Sequence, residues 1–417
     1  LAQNLHASLL ALQWVIDGYT LTFASLLLPF GYASDISPPK RLFQIGIVIF
    51  TLSSIGCGTA PSALILILFR IIQGGAGAVI VPASLVILQN LFPKEPQRSR
   101  IIGFWAATGG VAAALGPILG AFLTSYFGWR GVFWIHLPMG LICLILTSAI
   151  PSTQFCKNSK TKLPLTGACL SFITLVSLAF GCIEAGKSGW HSTLVLSSLS
   201  IFFGSGILLL INQKKSAVPI LPLSLFQSSS FTIPILIGLL MNFGFFGELF
   251  ILPFYFQEIL NDSVIKTGFS LFPLMVTVPF SSYLSGQVVS RLGPKPPTII
   301  GLSLSALGFL SGLQTFNLTS TYSALIIPMT LMGFGIAFTM PALTVLILRA
   351  SGPYSSGVAS GAFNTSRQVG SLLGVAVFGS LIGQNPCFID GMKNTLIFAS
   401  LLFITSIGLA LVISDSK

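Results

Sequence analysis

Between Gly109 and Gly120 the chain reads Gly109-Gly110-Val111-Ala112-Ala113-Ala114-Leu115-Gly116-Pro117-Ile118-Leu119-Gly120, with four glycines and a proline inside an uncharged run long enough to cross a bilayer. In water a mid-helix proline costs about 3 kcal/mol. In a membrane, neighbouring helices re-satisfy the carbonyl that proline frees, and small residues let two backbones approach closely. The segment predicts a bent, tightly packed helix of a polytopic membrane protein, an arrangement few soluble folds tolerate.

Composition points the same way. With 53% hydrophobic residues, 7% charged ones and a mean hydropathy of +0.93, there is too little polar surface to coat a soluble globule of 417 residues. The net charge of +11 would suit nucleic acid if the basic residues formed a patch. They stand instead in ones, twos and threes between apolar runs of about 20 residues, the pattern of loop charge. No nucleic-acid partner is expected. The six cysteines are scattered without a C-x-x-C or Cys/His grouping, so neither a metal site nor a disulfide framework is read.

Apolar windows predict thirteen spans, roughly 12–34, 42–60, 62–91, 99–127, 131–150, 164–185, 191–212, 230–256, 266–290, 297–315, 321–348, 358–383 and 394–413. Alternate loops then hold Lys40 and Arg41; Lys94, Arg98 and Arg100; Lys157, Lys160 and Lys162; Lys214 and Lys215; Arg291 and Lys295; Arg349 and Arg367; and Lys417. The opposite loops hold Arg130, Lys187, Lys266 and Lys393. The positive-inside rule places the first set, and the C-terminus, in the cytoplasm. An odd number of spans and a first residue other than methionine predict that a first span precedes Leu1.

An internal repeat is legible. Gly31-x-x-x-Asp35-x-x-x-x-Lys40 returns as Gly286-x-x-x-Ser290-x-x-x-x-Lys295, each with a glycine fifteen residues after the first, Gly46 and Gly301. Gly74 to Pro82-Ala83 returns as Gly333 to Pro341-Ala342. The offsets predict an all-α membrane protein of two six-helix halves in the same orientation, a transporter architecture. The N-terminal half would cover 1–150, a central extra helix pair with its linkers 151–229, and the C-terminal half 230–417.

These residues resemble the fourteen-span drug/proton antiporters of the major facilitator superfamily, the EmrB/QacA type. Gln13-Trp14-Val15-Ile16-Asp17-Gly18-Tyr19 is similar to the opening of that family's second span, and Gly31 to Arg41 to its loop signature. Arg70-Ile71-Ile72-Gln73-Gly74-Gly75-Ala76-Gly77 resembles the fourth-span motif. Gly116-Pro117-Ile118-Leu119-Gly120, with Gly110 before it, resembles the fifth-span antiporter motif. Trp129 to Pro138 and Asn364 to Gly370 fit as well. The chain departs from the pattern at Ile36 and Pro38, where the family usually keeps arginine and glycine, and at His136, where asparagine is usual.

Few side chains carry chemistry. Arg70, about 12 Å into its span at about 1.5 Å per residue, must face a cavity or a partner, because a central arginine costs roughly 2.5–3.5 kcal/mol. It is either a proton-coupling residue, as the resemblance implies, or a packing arginine held by backbone carbonyls. Asp17 is a carboxylate that titrates during transport or an interfacial aspartate that never leaves water. Glu248, among phenylalanines without a local cation, is a proton carrier or a site for lipophilic cations, or it reaches water near Tyr255 and Gln257. Gly31, Asp35, Lys40 and Arg41, with Gly286, Arg291 and Gly293 in the repeat, resemble a loop that locks the halves by salt bridges and contact with a helix N-terminus; the alternative is charge serving topology. His136 reads as an interfacial hydrogen-bonding residue, and Glu184 and Lys187 as loop residues.

The reading that follows is proton-coupled efflux of lipophilic or cationic drugs across the cytoplasmic membrane by alternating access, with the proton gradient as energy source and no cofactor. The small-molecule substrate, protons and the bilayer are the partners. A non-transporting remnant and a uniporter or importer of a small metabolite are the rivals. Nine acids and three histidines spread without a paired constellation argue against an enzyme.

Overall fold

The structure, a computed structural model, describes residues 9–94, 96–151, 164–216, 219–351, 355–383 and 387–413. His6, Cys156, Lys157, Lys160, Lys162 and Lys417 lie outside them. Thirteen long helices run through the described residues: α1 Leu9–Ile36, α2 Pro39–Thr59, α3 Ala63–Leu91, α4 Gln97–Phe127, α5 Gly131–Ser148, α6 Leu165–Ser188 and α7 Thr193–Lys215, then α8 Ser229–Phe254, α9 Phe272–Leu292, α10 Lys295–Thr315, α11 Tyr322–Ser351, α12 Ser356–Gly383 and α13 Phe388–Val412. A π turn, Tyr255–Ile259, extends α8, and a short helix, Val264–Ser270, leads into α9.

Each helix matches one predicted span within a few residues, because a segment without water must satisfy its own backbone. Local signals set the ends. Pro39 and Pro273 stand in first turns, where a missing N–H costs nothing. Ser62 accepts from the Ile65 amide at the start of α3. Gly293 ends α9 at φ 81°, a left-handed conformation that a side chain would strain. The gating role expected of Gly293 thus falls on a residue whose first duty is to stop a helix. Glu184 and Lys187, expected in a loop, belong to the last turns of α6.

The outside is apolar. On α7, Leu194, Leu196, Ile201, Phe203, Ile207 and Leu210 are all exposed, and on α5 so are Leu141, Ile142, Ile145 and Leu146. A face of that kind is covered by lipid chains, and among the described residues nine helices are long and apolar enough to cross a membrane.

The repeat seen in sequence is also a repeat of contacts. Gly74 of α3 packs directly on the Tyr19 carbonyl of α1, and Gly333 of α11 on the Leu274 carbonyl of α9. Tyr19 and Leu274 stand at the same 255-residue spacing as Gly31 and Gly286. Lys40 donates to the Ser148 and Ile150 carbonyls at the end of α5, and Lys295 donates to the Ile413 carbonyl at the end of α13, 2.8 Å away. A lysine at a helix C-terminus meets the negative end of the helix dipole. α6 packs on both α1 and α12.

Candidate functional site

Two crossings close the end of the bundle that carries Asp35, Lys40, Arg100, Arg291 and Lys295, here called the basic end. In the first, Gly31 of α1 lies against Gly357 and Gly361 of α12, so near that a Cβ on Gly31 would strike the Gly357 carbonyl. In the second, Gly103 of α4 lies against Gly286 of α9, backbone on backbone. Each crossing carries a polar clamp. The Asp35 carboxylate accepts from the amides of Gly357 at 2.6 Å and Val358 at 2.8 Å, in the first turn of α12. At the second, Arg100 Nε donates to Ser290 Oγ at 3.3 Å. Ser290 is the repeat's counterpart of Asp35.

The aspartate clamp is the stronger, because a carboxylate answers both the free amides and the positive end of the helix dipole. Lys40, expected beside Asp35, serves the end of α5 instead. Arg41 and Arg291 are exposed. Asp35→Asn keeps the shape but turns an amide N–H toward a backbone N–H. About tenfold faster hydrogen exchange is expected at the amides of 355–361, measured by mass spectrometry; unchanged exchange would remove Asp35 from the closure.

Above this closure lies a cavity of about 510 Å³ lined from α4, α8, α9, α11 and α12. Trp105, Thr108, Gly109 and Gly110 come from α4, while Asn242, Phe245, Phe246 and Leu249 come from α8 and Arg367 from α12. Gly110 is where α4 last packs tightly on α9, against Val278 and Pro279. The positions of Gly116 and Gly120, expected at the tight contact, have nothing among the described residues within 4 Å of where a Cβ would stand. The Pro117 side chain lies outside the described residues. The glycines that bring α4 and α9 together are thus Gly103 and Gly110, seven residues apart on one face.

Arg70 joins α1 to α3. Its Nε donates to the Val15 carbonyl at 2.9 Å, its Nη1 to Gln73 Oε1 at 2.7 Å, and its guanidinium lies 4.3 Å from the Tyr19 ring centre. Gln73 Nε2 donates to Ser54 Oγ at 3.1 Å, which sits 3.0 Å from His136 Nδ1. A hydrogen-bonded chain therefore runs from the arginine through α2 to the histidine on α5.

Glu248 is buried in α8 and faces α13, where its Oε2 lies 3.1 Å from Thr395 Oγ1 while its Oε1 has no partner among the described residues. The single hydroxyl proton of Thr395 is shared between Glu248 Oε2 and the Met392 carbonyl 2.8 Å away. Asp17 lines a second cavity of about 740 Å³ at the other end, together with Glu258, His191 and Trp190. Among the described residues Arg70 joins α1 to α3, Glu248 faces Thr395 on α13 and Asp17 lines the second cavity, so the three stand at different places.

Arg367 was expected among the loop charges. It lies within α12, on the wall of the central cavity, beside Asn364, whose Oδ1 accepts from its Nη1 at 3.0 Å. Sequence reasoning also missed Gly103, Trp105 and Asn242, which no motif marks.

A lipid-covered bundle that repeats its own contacts and is pinched at one end over an apolar cavity is built as a solute carrier. The chain belongs to the major facilitator superfamily, whose family description matches residues 1–375. It is 30% identical over 403 residues to the methylenomycin A resistance protein of Streptomyces coelicolor, covering 96% of this chain and 84% of that one. It is 31% identical over 388 residues to the methylenomycin A resistance protein of Bacillus subtilis, covering 93% and 83%. The tetracenomycin C resistance and export protein of Streptomyces glaucescens is 31% identical over 382 residues, covering 92% and 71%.

Among solved structures, the fold resembles the proton:xylose symporter XylE with a TM-score of 0.69 at 14% identity, covering 98% of this chain and 87% of that one. It also resembles the human transporter MFSD10 with a TM-score of 0.71 at 18% identity, covering 95% and 83%. Family and fold are those of transporters, multi-pass in the membrane, rather than of enzymes.

Proposed function

We propose that the chain is a proton-coupled exporter of lipophilic, drug-like small molecules, of the fourteen-span drug/proton antiporter type. The observation that carries this reading is the central cavity, closed at the basic end by α1–α12 and α4–α9 and lined largely by apolar side chains. The kinship to drug-resistance and export proteins supports export as the direction. The basic end, with the C-terminus, faces the cytoplasm of a cell membrane, as the loop charges require.

Two halves, each with its own lysine-capped last helix, rock about the cavity. In the arrangement seen, the cytoplasmic end is shut. Opening it parts Gly31 from Gly357 and Gly103 from Gly286 and withdraws Asp35 from α12. Protons from the gradient drive the cycle, with Arg70 and Glu248 as the groups that sense them and no cofactor taking part.

Accumulation of a lipophilic dye in cells that make this chain tests the reading. Exclusion of the dye that a protonophore abolishes is the expected result. Exclusion indifferent to the protonophore would overturn proton coupling, and inward concentration of the dye would overturn export.

A further inference from the structure

The central cavity has a sign. Among the described residues Arg367 is the only charged side chain on its wall, and no carboxylate among them lines it. The acids nearest in sequence turn elsewhere. On α8, residues 242, 245, 246 and 249 face the cavity, whereas Glu248 faces Thr395 on α13. Asp17 and Glu258 line the second cavity, which α8 meets through Phe250, Ile251 and Phe254.

The guanidinium is also under-used. It carries five N–H donors in a planar fork. One reaches Asn364 Oδ1 at 3.0 Å, and the ring of Phe363 lies 5.8 Å away. Its Nε has no hydrogen-bond partner among the described residues but is closed off from any water-sized space, so the side it can offer to the cavity is its pair of terminal nitrogens. A permanent cation in a membrane span normally finds an anion or a set of carbonyls. Arg70, with Val15, Gln73 and Tyr19 around it, shows that this chain can supply such a set.

We propose that the central cavity is a binding site for an apolar carboxylate, held by the fork of Arg367 with its hydrocarbon or aromatic body against Trp105, Phe245, Phe246 and Met275. A carboxylate matches the planar donors of arginine two by two. The cavity of about 510 Å³ suits a small drug-sized acid. The assignment rests on the export reading and narrows it: the lipophilic substrate carries a negative charge, not the positive one that the sequence suggested. A cation placed here meets the like charge of Arg367 in a poorly screened space.

The test is binding by calorimetry to the full chain in nanodiscs at neutral pH, with three compounds that share one ring system: 1-naphthylacetate, 1-naphthylacetamide and 1-naphthylmethylamine. The acid is expected to bind at least about tenfold more tightly than the amide, the worth of a charge-assisted hydrogen bond, and the amine most weakly. Arg367→Gln should bring acid and amide to equal affinity, while Arg367→Lys keeps the preference for the acid. If Arg367→Gln binds neither compound, the wild-type order and Arg367→Lys decide. An amide or amine that binds wild type as well as the acid does, an acid that does not bind, or an acid preference that survives Arg367→Gln would overturn the assignment.

Binding needs no proton gradient, so the two readings fail separately. Acid-selective binding without protonophore-sensitive export would sink the reading of proton-coupled export alone. Dye export with a charge-blind cavity would sink this inference alone.

Discussion

Gly286→Leu is expected to abolish export while leaving the protein in the membrane. A Cβ at this position meets the Gly103 Cα at 2.7 Å and the Ser99 carbonyl oxygen at 3.1 Å. Both are backbone atoms, so no rotamer change relieves the clash, and two whole helices must part. Overpacking of this kind costs about 3 kcal/mol, roughly a hundredfold in the ratio of closed to open at the basic end. The matching crossing at Gly31 and Gly357 cannot compensate, because it closes the other pair of helices.

The readout is a cysteine introduced by Gly109→Cys in a background without the six native cysteines. Gly109 lines the central cavity and has nothing among the described residues within 4 Å of where a Cβ would stand. A membrane-impermeant maleimide applied from outside should label that position well in the parent and at least about tenfold more slowly when Gly286→Leu is added. Gly204→Leu is the control, since Gly204 on α7 also has nothing within 4 Å and lies at neither crossing. Equal labelling with and without Gly286→Leu would show that the Gly103–Gly286 crossing does not hold the basic end shut.

These contacts also show what sequence reveals and what it hides. The spans were legible because a bilayer demands about 20 apolar residues from every crossing. The span predicted at 62–91 became Ala63–Leu91, while the last began early, at Phe388, because Asp390 and Lys393 sit in the first two helical turns, which a hydropathy window discards. The repeat was legible too, and Lys40 and Lys295 explain why: each caps the final helix of its own set, so the same side chain recurs at the same place. Contacts between helices were not legible. α4 and α8 are apolar all round, so periodicity does not say which face of α8 Glu248 takes or where α4 touches α9. The fifth-span motif drew attention to Gly116 and Gly120, whereas the close approach falls at Gly103 and Gly110. Arg367 was hidden differently. It was counted with the loop charges although the predicted span 358–383 already ran through it, and only the folded helix shows that it faces the cavity.

Arg70→Ala is expected to uncouple the carrier rather than unfold it. The side chain makes two charge-assisted hydrogen bonds and lies over Tyr19, but α1 and α3 remain joined through Gly74 on the Tyr19 carbonyl, a contact the substitution leaves alone. What disappears is the cation at the head of the chain Gln73, Ser54, His136. Proton-driven export should fall at least about tenfold, the effect of losing one charge-assisted bond or more. Exchange of substrate across the membrane without a proton gradient should persist, because Arg70 does not line the central cavity. Arg70→Lys separates charge from geometry: an ammonium keeps the cation but cannot serve Val15 and Gln73 through one planar fork, so partial recovery of export is expected. A packing role gives another pattern, in which Arg70→Ala lowers thermal stability, exchange and driven export decline together, and the pH dependence of export keeps its shape. Driven export at the parental rate in Arg70→Ala would assign the arginine to joining α1 and α3 and leave Glu248 as the group through which the proton acts.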